Sequence, residues 1–516
     1  MSSPDAGFER LDRKLVVVAA VLSAVFSLLA AVIGGIALSV GGMPLGLTLL
    51  IVVGGLLLIV GFSAGVEYVR WRVTRFRVTD ERLELRFEFV VTKRRSLARE
   101  RIRTVDVTAN PVERLFGLAV VVIGTGQHGE SGDAEIKLDP VSRERAEQLR
   151  VELLRRAGQS AAEQPGDGAI AALRWGWAWY APLSFLTPAI GAAAVGAVFN
   201  VSSWFGYGRE PVGSLISDLV RAAALFGYVT VVVGALLAGV IGALLLFVEM
   251  WWSYRLDREQ GGMLHVRRGL LTTRSISLEE RRLRGVEVVE PLGIRLAKAA
   301  RVDAIATGMR QGGEGRRTDH KTLLPAAPRA LASWVAAAVL REGESPIAAG
   351  TLTPHPRAAL VRRLRWALAP VLVAFVLLLL VRSLLGTAVN GVLDEAVGGM
   401  LMALPWVFIA VAVPAAVLLA FDAYRSLGHG ISGRYLLARR GALRRNTVAL
   451  QRTGVIGWTV RQSIFQRRAG VLTLVATTAA GAGAYQIPDA AVDEGLAFAD
   501  AAVPGLLAPF LERPLD

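Results

Sequence analysis

Arginine is the residue type in this chain with the most chemical reach, and its positions repeat. Arg86, Arg267 and Arg439 occupy matching places in three stretches, as do Arg114, Arg295 and Arg467. A guanidinium presents a planar fork of donors that fits a phosphate or a carboxylate. Further cations cluster near each set: Arg94, Arg95, Arg101 and Arg103 in the first stretch, Arg267, Arg268 and Arg274 in the second, and Arg439, Arg440, Arg444 and Arg445 in the third. Read for function, these clusters are contacts for anionic headgroups or for a protein partner. The competing reading treats Arg86, Arg114, Arg295 and Arg467 as framework residues that tie a strand corner to backbone carbonyls. The remaining cations are then an ordinary basic surface.

Other chemistries lack their residues. There is no cysteine, so no disulfide, thiolate site or cysteine nucleophile is available. His128, His265, His320, His355 and His429 are scattered, which argues against a metal site. Gly124-Thr125-Gly126 and Gly312 to Gly315 lack the lysine-serine context of a phosphate loop and read as hairpin turns. His128 and His320 read as exposed loop residues. Glu279-Glu280 and Asp394-Glu395 do not make a catalytic pair, and no serine elbow, zinc helix or dinucleotide fingerprint follows a strand. No enzyme activity and no cofactor are expected. The net charge of +15 would suit nucleic acid or the inner face of a membrane protein. Without zinc-finger spacing or an aromatic RNA-binding sheet, nucleic acid is not expected.

The elements that position the arginines repeat three times. Leu83, Arg86, Leu97, Ile102, Val107 and Arg114 fall opposite Leu264, Arg267, Leu278, Leu283, Val288 and Arg295 at an offset of 181. An offset of 353 leads to Leu436, Arg439, Leu450, Val455, Val460 and Arg467. Two apolar segments precede each copy. A hydrocarbon core takes about 20 apolar residues to cross. Six stretches qualify: Leu15 to Val40, Leu47 to Val66, Trp175 to Val201, Ala222 to Trp252, Trp366 to Leu385, and Met400 to Tyr424. Pro182 and Pro188 are expected to kink the third. The first run is too long for a signal peptide. Glu249, Arg382 and Asp422 lie near span ends, and the absence of midplane charge argues against ion-coupled transport. Arginine crowds the N-terminus and the three soluble stretches but is sparse in the short linkers, which predicts that the termini and the soluble domains are cytoplasmic. The resulting layout is 1–66 and 67–165, 170–252 and 253–345, then 360–424 and 425–516, each a membrane hairpin followed by a soluble domain.

Within the first soluble stretch, Val73, Phe76 and Val78 suggest a strand. Leu83 to Phe89 alternates with period two, the mark of a half-buried strand. Arg95 to Leu97, Ile102 to Val107, Ala119 to Ile123 and Ala134 to Leu138 read as further strands. Pro140 is expected at the first position of a helix to about Arg156, with Ala146, Leu149, Val151, Leu153 and Leu154 on its apolar face. Leu324-Pro325 and Ile487-Pro488 repeat the device. The expected fold class is an α+β membrane protein: six transmembrane helices in three hairpins, each followed by a small antiparallel β-barrel or sandwich capped by a C-terminal helix.

Ile102-Arg103-Thr104-Val105-Asp106-Val107 and Asn110-Pro111-Val112-Glu113-Arg114-Leu115-Phe116-Gly117-Leu118-Ala119 carry a resemblance. They look like the bacterial pleckstrin-homology-like (PH-like) domain of type 2, in its three-domain, six-span form. The second copy departs at Arg295-Leu296-Ala297-Lys298 and the third at Arg467-Arg468-Ala469-Gly470. The resemblance implies a multi-pass inner-membrane scaffold or sensor, in envelope stress or protection. The spans and the basic clusters give the lipid bilayer and anionic headgroups as expected partners, and the similar edges of the three copies add a second PH-like membrane protein. The alternative function is transport or lipid handling by the six-helix bundle.

Overall fold

The computed structural model describes residues 8–40, 42–79, 81–88, 92–99, 102, 104–124, 135–154, 168–184, 186–204, 224–259, 262–307, 321–388 and 395–507. Arg101, Arg103, His128, His320, Asp394 and both glycine-rich turns lie wholly or partly outside these residues. The chain divides into two compact units, 1–174 with 245–281, and 175–244 with 282–516. The sequence places its boundaries from span to span. The contacts divide inside the second copy instead.

In the first unit, helices α1 (Lys14–Val40) and α2 (Leu45–Val73) form the membrane hairpin. Then come β2 (Thr74–Val78), β3 (Arg82–Glu88) and β4 (Thr92–Ala98), joined at β2 by the two-residue β1 (Glu9–Arg10). A second group follows, with β5 (Thr104–Ala109), the short α3 (Pro111–Leu115), β6 (Leu118–Gly124), β7 (Glu135–Ser142) and α4 (Arg143–Leu154). Alternation buries Phe76, Leu83 and Leu97 from the first sheet against Val105, Val121, Ile123 and Leu138 from the second. Ala146, Leu149 and Leu153 of α4 plug the space between them. This is the expected strand barrel capped by a helix. The unit is completed by β8 (Ala169–Ala172), β9 (Arg255–Glu259), β10 (Met263–Arg268) and β11 (Thr273–Glu279). These do not make a separate sheet. The order β7-β6-β5-β11-β10-β9-β8 is continuous, so the first copy's second sheet runs into the second copy's first sheet.

The second unit repeats the arrangement. It begins with a bent segment and α5 (Leu186–Trp204), and takes most of α6 (Ala224–Trp251). Next are β12 (Leu283–Pro291), α7 (Leu292–Leu296), β13 (Ala299–Ala306), β14 (Thr322–Pro328), α8 (Arg329–Leu340) and the four-residue α9 (Pro346–Ala349). Helices α10 (Arg357–Ala388) and α11 (Glu395–Arg425) form a second hairpin. The third copy supplies β15 (Gly428–Ser432), β16 (Tyr435–Arg440), β17 (Arg444–Gln451), β18 (Val455–Arg461), α12 (Ile464–Arg468), β19 (Val471–Thr478), β20 (Ala484–Ala491) and α13 (Val492–Ala502). Sheet order is β14-β13-β12-β17-β16-β15, with β18-β19-β20 as a separate three-stranded sheet. Leu436, Leu472, Leu474, Ile487, Phe498 and Ala499 form the third copy's core. Hairpins β10–β11 and β16–β17 turn through Gly269 (φ 109°) and Gly441 (φ 108°), where a side chain would also run into the carbonyls of Thr272 and Arg444.

Two expectations need correction, and a third is met. Pro140 lies inside β7 and α4 starts at Arg143. Along β6 and β7 the pairing jumps from Ala119–Val141 to Val121–Leu138, so Asp139 and Pro140 form a bulge. Pro325 and Pro488 sit at the same irregularity in β14 and β20. A residue without an N–H fits where the ladder skips. Second, Val151 is exposed, while Arg150 takes the inward place between Ala146 and Leu153. Third, the kink expected in the segment from Trp175 is present. A 3₁₀ helix at Trp175–Leu183, containing Pro182, meets the following helix at 75°. Among the described residues, five helices can cross a membrane by length and composition, or six if that bent pair counts as one span.

Candidate functional site

The repeated arginines converge on the seams between copies. In the first unit β5 pairs antiparallel with β11, setting Val107 opposite Ser275 and Val105 opposite Ser277. Arg114, at the end of α3, donates to the carbonyl of Leu270 in the β10–β11 hairpin. From α4, Arg150 donates to both carboxylate oxygens of Glu259, at 3.1 and 3.2 Å, and to Ser277 Oγ at 2.8 Å. His265 Nδ1 lies 2.5 Å from the same carboxylate. Burial pushes the Glu259 carboxyl upward, but hydrogen bonds from His265 and Arg150 outweigh it and hold it at about 2.

In the second unit β12 pairs with β17, with Val288 opposite Thr447 and Val286 opposite Ala449. These are the same pairs moved one copy along the chain, so the register is identical. Arg295 donates to Asp422 Oδ1 at 2.6 Å and to Ser426 Oγ at 3.4 Å. Leu292 N–H donates to the carbonyl of Leu443 in the β16–β17 hairpin. Across the strands, Arg445 pairs with Glu290 at 2.7 Å, and Asn446 Nδ2 donates to Glu287 Oε1 at 2.7 Å. Glu290 is 3% exposed.

This geometry sorts the sequence candidates. Arg114, Arg295 and Arg445 are seam residues. Arg268 is 2% exposed, with its guanidinium 4.3 Å from the centroid of the Trp251 ring. A side chain so enclosed cannot reach a headgroup, which corrects the expectation for it. Arg86 stacks on Phe8 at 4.9 Å. Arg439 donates to the Arg425 carbonyl at 3.3 Å, and burial, then Arg445, push its guanidinium below the ordinary value. Arg95 and Arg274 are half-buried. Arg94, Arg267, Arg440, Arg444 and Arg467 are exposed, with Arg440 donating to Gln486 at 2.9 Å. The span-end acids are also engaged: Glu249 accepts from the backbone of Leu271 and Thr272 at 2.9 and 3.0 Å, and Asp422 holds Arg295.

Sequence reasoning missed a buried polar cluster in the third copy. Asp489 sits in the β20 bulge, fully buried, with φ 65°. Its carboxylate accepts from Arg362, from Arg363 at 2.9 Å and from Gln466 at 2.9 Å. Its carbonyl lies 3.0 Å from His355 Nδ1, which must therefore carry the proton. His355 Nε2 is then an acceptor for His429 Nδ1–H, 3.1 Å away. Burial lowers both imidazoles, His429 to about 4, so the pair is neutral at physiological pH. The Pro-Asp step at a repeated bulge was the only available signal. Nothing local pointed to residues more than a hundred positions upstream.

Two outcomes follow from these contacts. Glu290→Ala should destabilise the chain by about 3 kcal/mol, because Arg445 loses its buried partner. Adding Arg445→Met should recover most of that loss in chemical unfolding of the detergent-solubilised chain. For His429 the folded pKa lies below the unfolded value of 6.5. Stability should then fall as pH drops from about 6.5 to about 4, by about 3 kcal/mol in total. Melting curves at about pH 7 and about pH 5 should show the loss, and His429→Phe should remove its histidine component.

Comparisons with known proteins agree with this architecture. The family model described as bacterial PH domain matches residues 15–157 and again 367–502, taking in the first and third soluble copies with membrane-helix sequence before each. The UPF0699 transmembrane protein YdbT of Bacillus subtilis (strain 168) is 29% identical over 91 residues. That alignment covers 18% of this chain and 18% of that relative's length. No solved structure matches the chain. With more than half its length under the family model and apolar spans leading into strand barrels, the chain belongs to the bacterial PH domain family.

Proposed function

We propose that this multi-pass protein is a non-catalytic scaffold or sensor. Its PH-like domains would work at the cytoplasmic membrane surface, holding protein partners or anionic headgroups in a role in envelope stress or protection. The observation that carries this reading is the use made of the span-end acids. Glu249 and Asp422 each fasten a membrane helix to a strand hairpin or a seam, leaving neither poised on a transport path. Six membrane spans in three hairpins, with the bent Trp175 segment as the third, complete the arrangement. The headgroup surface is narrower than composition implies, since Arg268, Arg295 and Arg445 are committed internally. Arg267, Arg440 and Arg444 remain outward. Each such cation contributes about 1 kcal/mol near an anionic surface.

Orientation is tested by reporters fused after Met43 and Gly158. A reporter active only in the cytoplasm should be silent at Met43 and active at Gly158, and the reverse pattern overturns the orientation. Headgroup contact is tested with the full chain in nanodiscs. Amide exchange across β16 and β17 should slow when phosphatidylglycerol replaces part of the phosphatidylcholine. Arg440→Ala with Arg444→Ala should abolish the difference. Equal exchange of the wild-type chain in both lipids would remove headgroups from the reading.

A further inference from the structure

The two seams are one joint used twice, and the chain carries both halves of that joint once more. The donor half is the first strand of a second sheet, β5 or β12, with the short helix after it. The acceptor half is the third strand of a first sheet, β11 or β17, with its hairpin. In the third copy the donor half is β18 with α12. Among the described strands β18 ends its sheet, and no strand lies beyond it. The acceptor half in the first copy is β4, which likewise ends the order β1-β2-β3-β4.

Along the strands, exposure follows the same division. Val286 and Val105, opposite a partner strand, are fully buried, and so are Ser277 and Ala449 facing them. The equivalent Ser96 on β4 is exposed. Val288 is 7% exposed in its seam, whereas the equivalent Val460 is 43% exposed. Beside it, Ile456 is 64% exposed, and Ile464 and Phe465 of α12 are each 70% exposed. Arg467 is exposed; its counterparts, the exposed Arg114 and the half-buried Arg295, reach into the next copy. An apolar strand edge flanked by an apolar turn is an open site for β-augmentation.

We propose that β18 of one chain pairs antiparallel with β4 of a second copy, in the register of the internal seams, so that chains associate head to tail in the membrane. Continuity with the existing joint carries the choice of occupant. The pairs Val107–Ser275 and Val288–Thr447 extend to Val460 opposite Arg94. A joint that membrane-tethered copies already make within one chain is open to a further tethered copy. Charge sets its strength. The acids of the second seam, Glu287 and Glu290, are replaced in the third copy by Thr459 and Gln462, while β4 carries Lys93, Arg94 and Arg95. The new joint therefore rests on main-chain hydrogen bonds and apolar contact without ion pairs. It is the weakest of the three and reversible. Edge cations also guard β4 against indiscriminate pairing. The association needs only the two strand edges and holds whether or not the domains touch headgroups.

The absence of native cysteine makes the test clean. Residues directly opposite in an antiparallel pair lie about 4.5–5.5 Å apart at Cα, within disulfide reach. Two differently tagged full-length chains, one Val460→Cys and one Arg94→Cys, are co-expressed and oxidised with copper phenanthroline in native membranes. The expected product carries both tags at about twice the 55.1 kDa chain mass. Glu494→Cys in place of Val460→Cys lies outside the joint and should leave the chains uncrosslinked. Val107→Cys with Ser275→Cys in one chain should close internally, which shows that the variants fold and that the register is reported. If that internal bond forms while Val460→Cys and Arg94→Cys give no more dimer than the Glu494→Cys control, the proposal is wrong. Crosslinking of Val460→Cys to a membrane protein of another size would also overturn it, by assigning the edge to a different partner.

Discussion

The antiparallel ladder between one copy's second sheet and the next copy's first sheet is the contact from which the soluble architecture follows. It holds five residue pairs in the first unit and seven in the second. With a net gain of about 1 kcal/mol per hydrogen bond, a seam of this length is worth several kcal/mol before apolar burial is added. Leaving the same backbone groups buried and unpaired would cost more than forming the bonds gains. The ladder therefore fixes the register, and the side chains adapt to it. The two seams show this directly. Arg150, Glu259 and Ser277 lock the first, whereas Glu290 and Arg445 lock the second, at the same alignment of strands.

The same constraint explains why a strongly basic chain presents fewer free cations than its composition promises. Each seam brings a short helix up to the following copy, and an arginine at that helix end finds the nearest acceptor. In the first unit the acceptor is a hairpin carbonyl, and in the second it is a carboxylate at the end of a membrane helix. The membrane helices are joined to the soluble part by the same kind of contact. Glu249 receives two hairpin N–H groups, and Arg268 in the same hairpin lies over Trp251. A guanidinium is less strongly hydrated than an ammonium and stacks on aromatic rings, which suits it to such enclosed places.

Period-two alternation and the constant offsets made most strands and all three copies legible in the sequence. Phe76, Leu83, Val105 and Val121 are core residues as the alternation requires. The seams were not legible, because strand pairing across copies is a long-range choice that no local pattern encodes. One trace was present. Glu287 and Glu290 stand in the largely apolar run Val286 to Pro291, and the third copy has Thr459 and Gln462 there. Buried acids in one repeat and neutral residues in another mark a strand that meets different neighbours. The prolines were misread for a related reason. Proline tolerates a helix start and a strand bulge equally well, and only the partner strand distinguishes them.

The Asp489 cluster shows how far that bulge can be adapted. In the first copy Asp139 lies at the bulge near Lys137 and Arg70, partly open to solvent. In the third copy the aspartate is fully enclosed and draws in Arg362 and Arg363 from the start of a membrane helix. A buried carboxylate needs its charge and its lone pairs answered, and here cations from α10 and an amide from α12 answer them. A membrane helix is thereby bonded to the back of the domain that follows it, while the neutral histidine pair fills the space beneath. The repeated backbone irregularity provides the position, and each copy's own side chains decide whether it becomes a surface turn or an anchor.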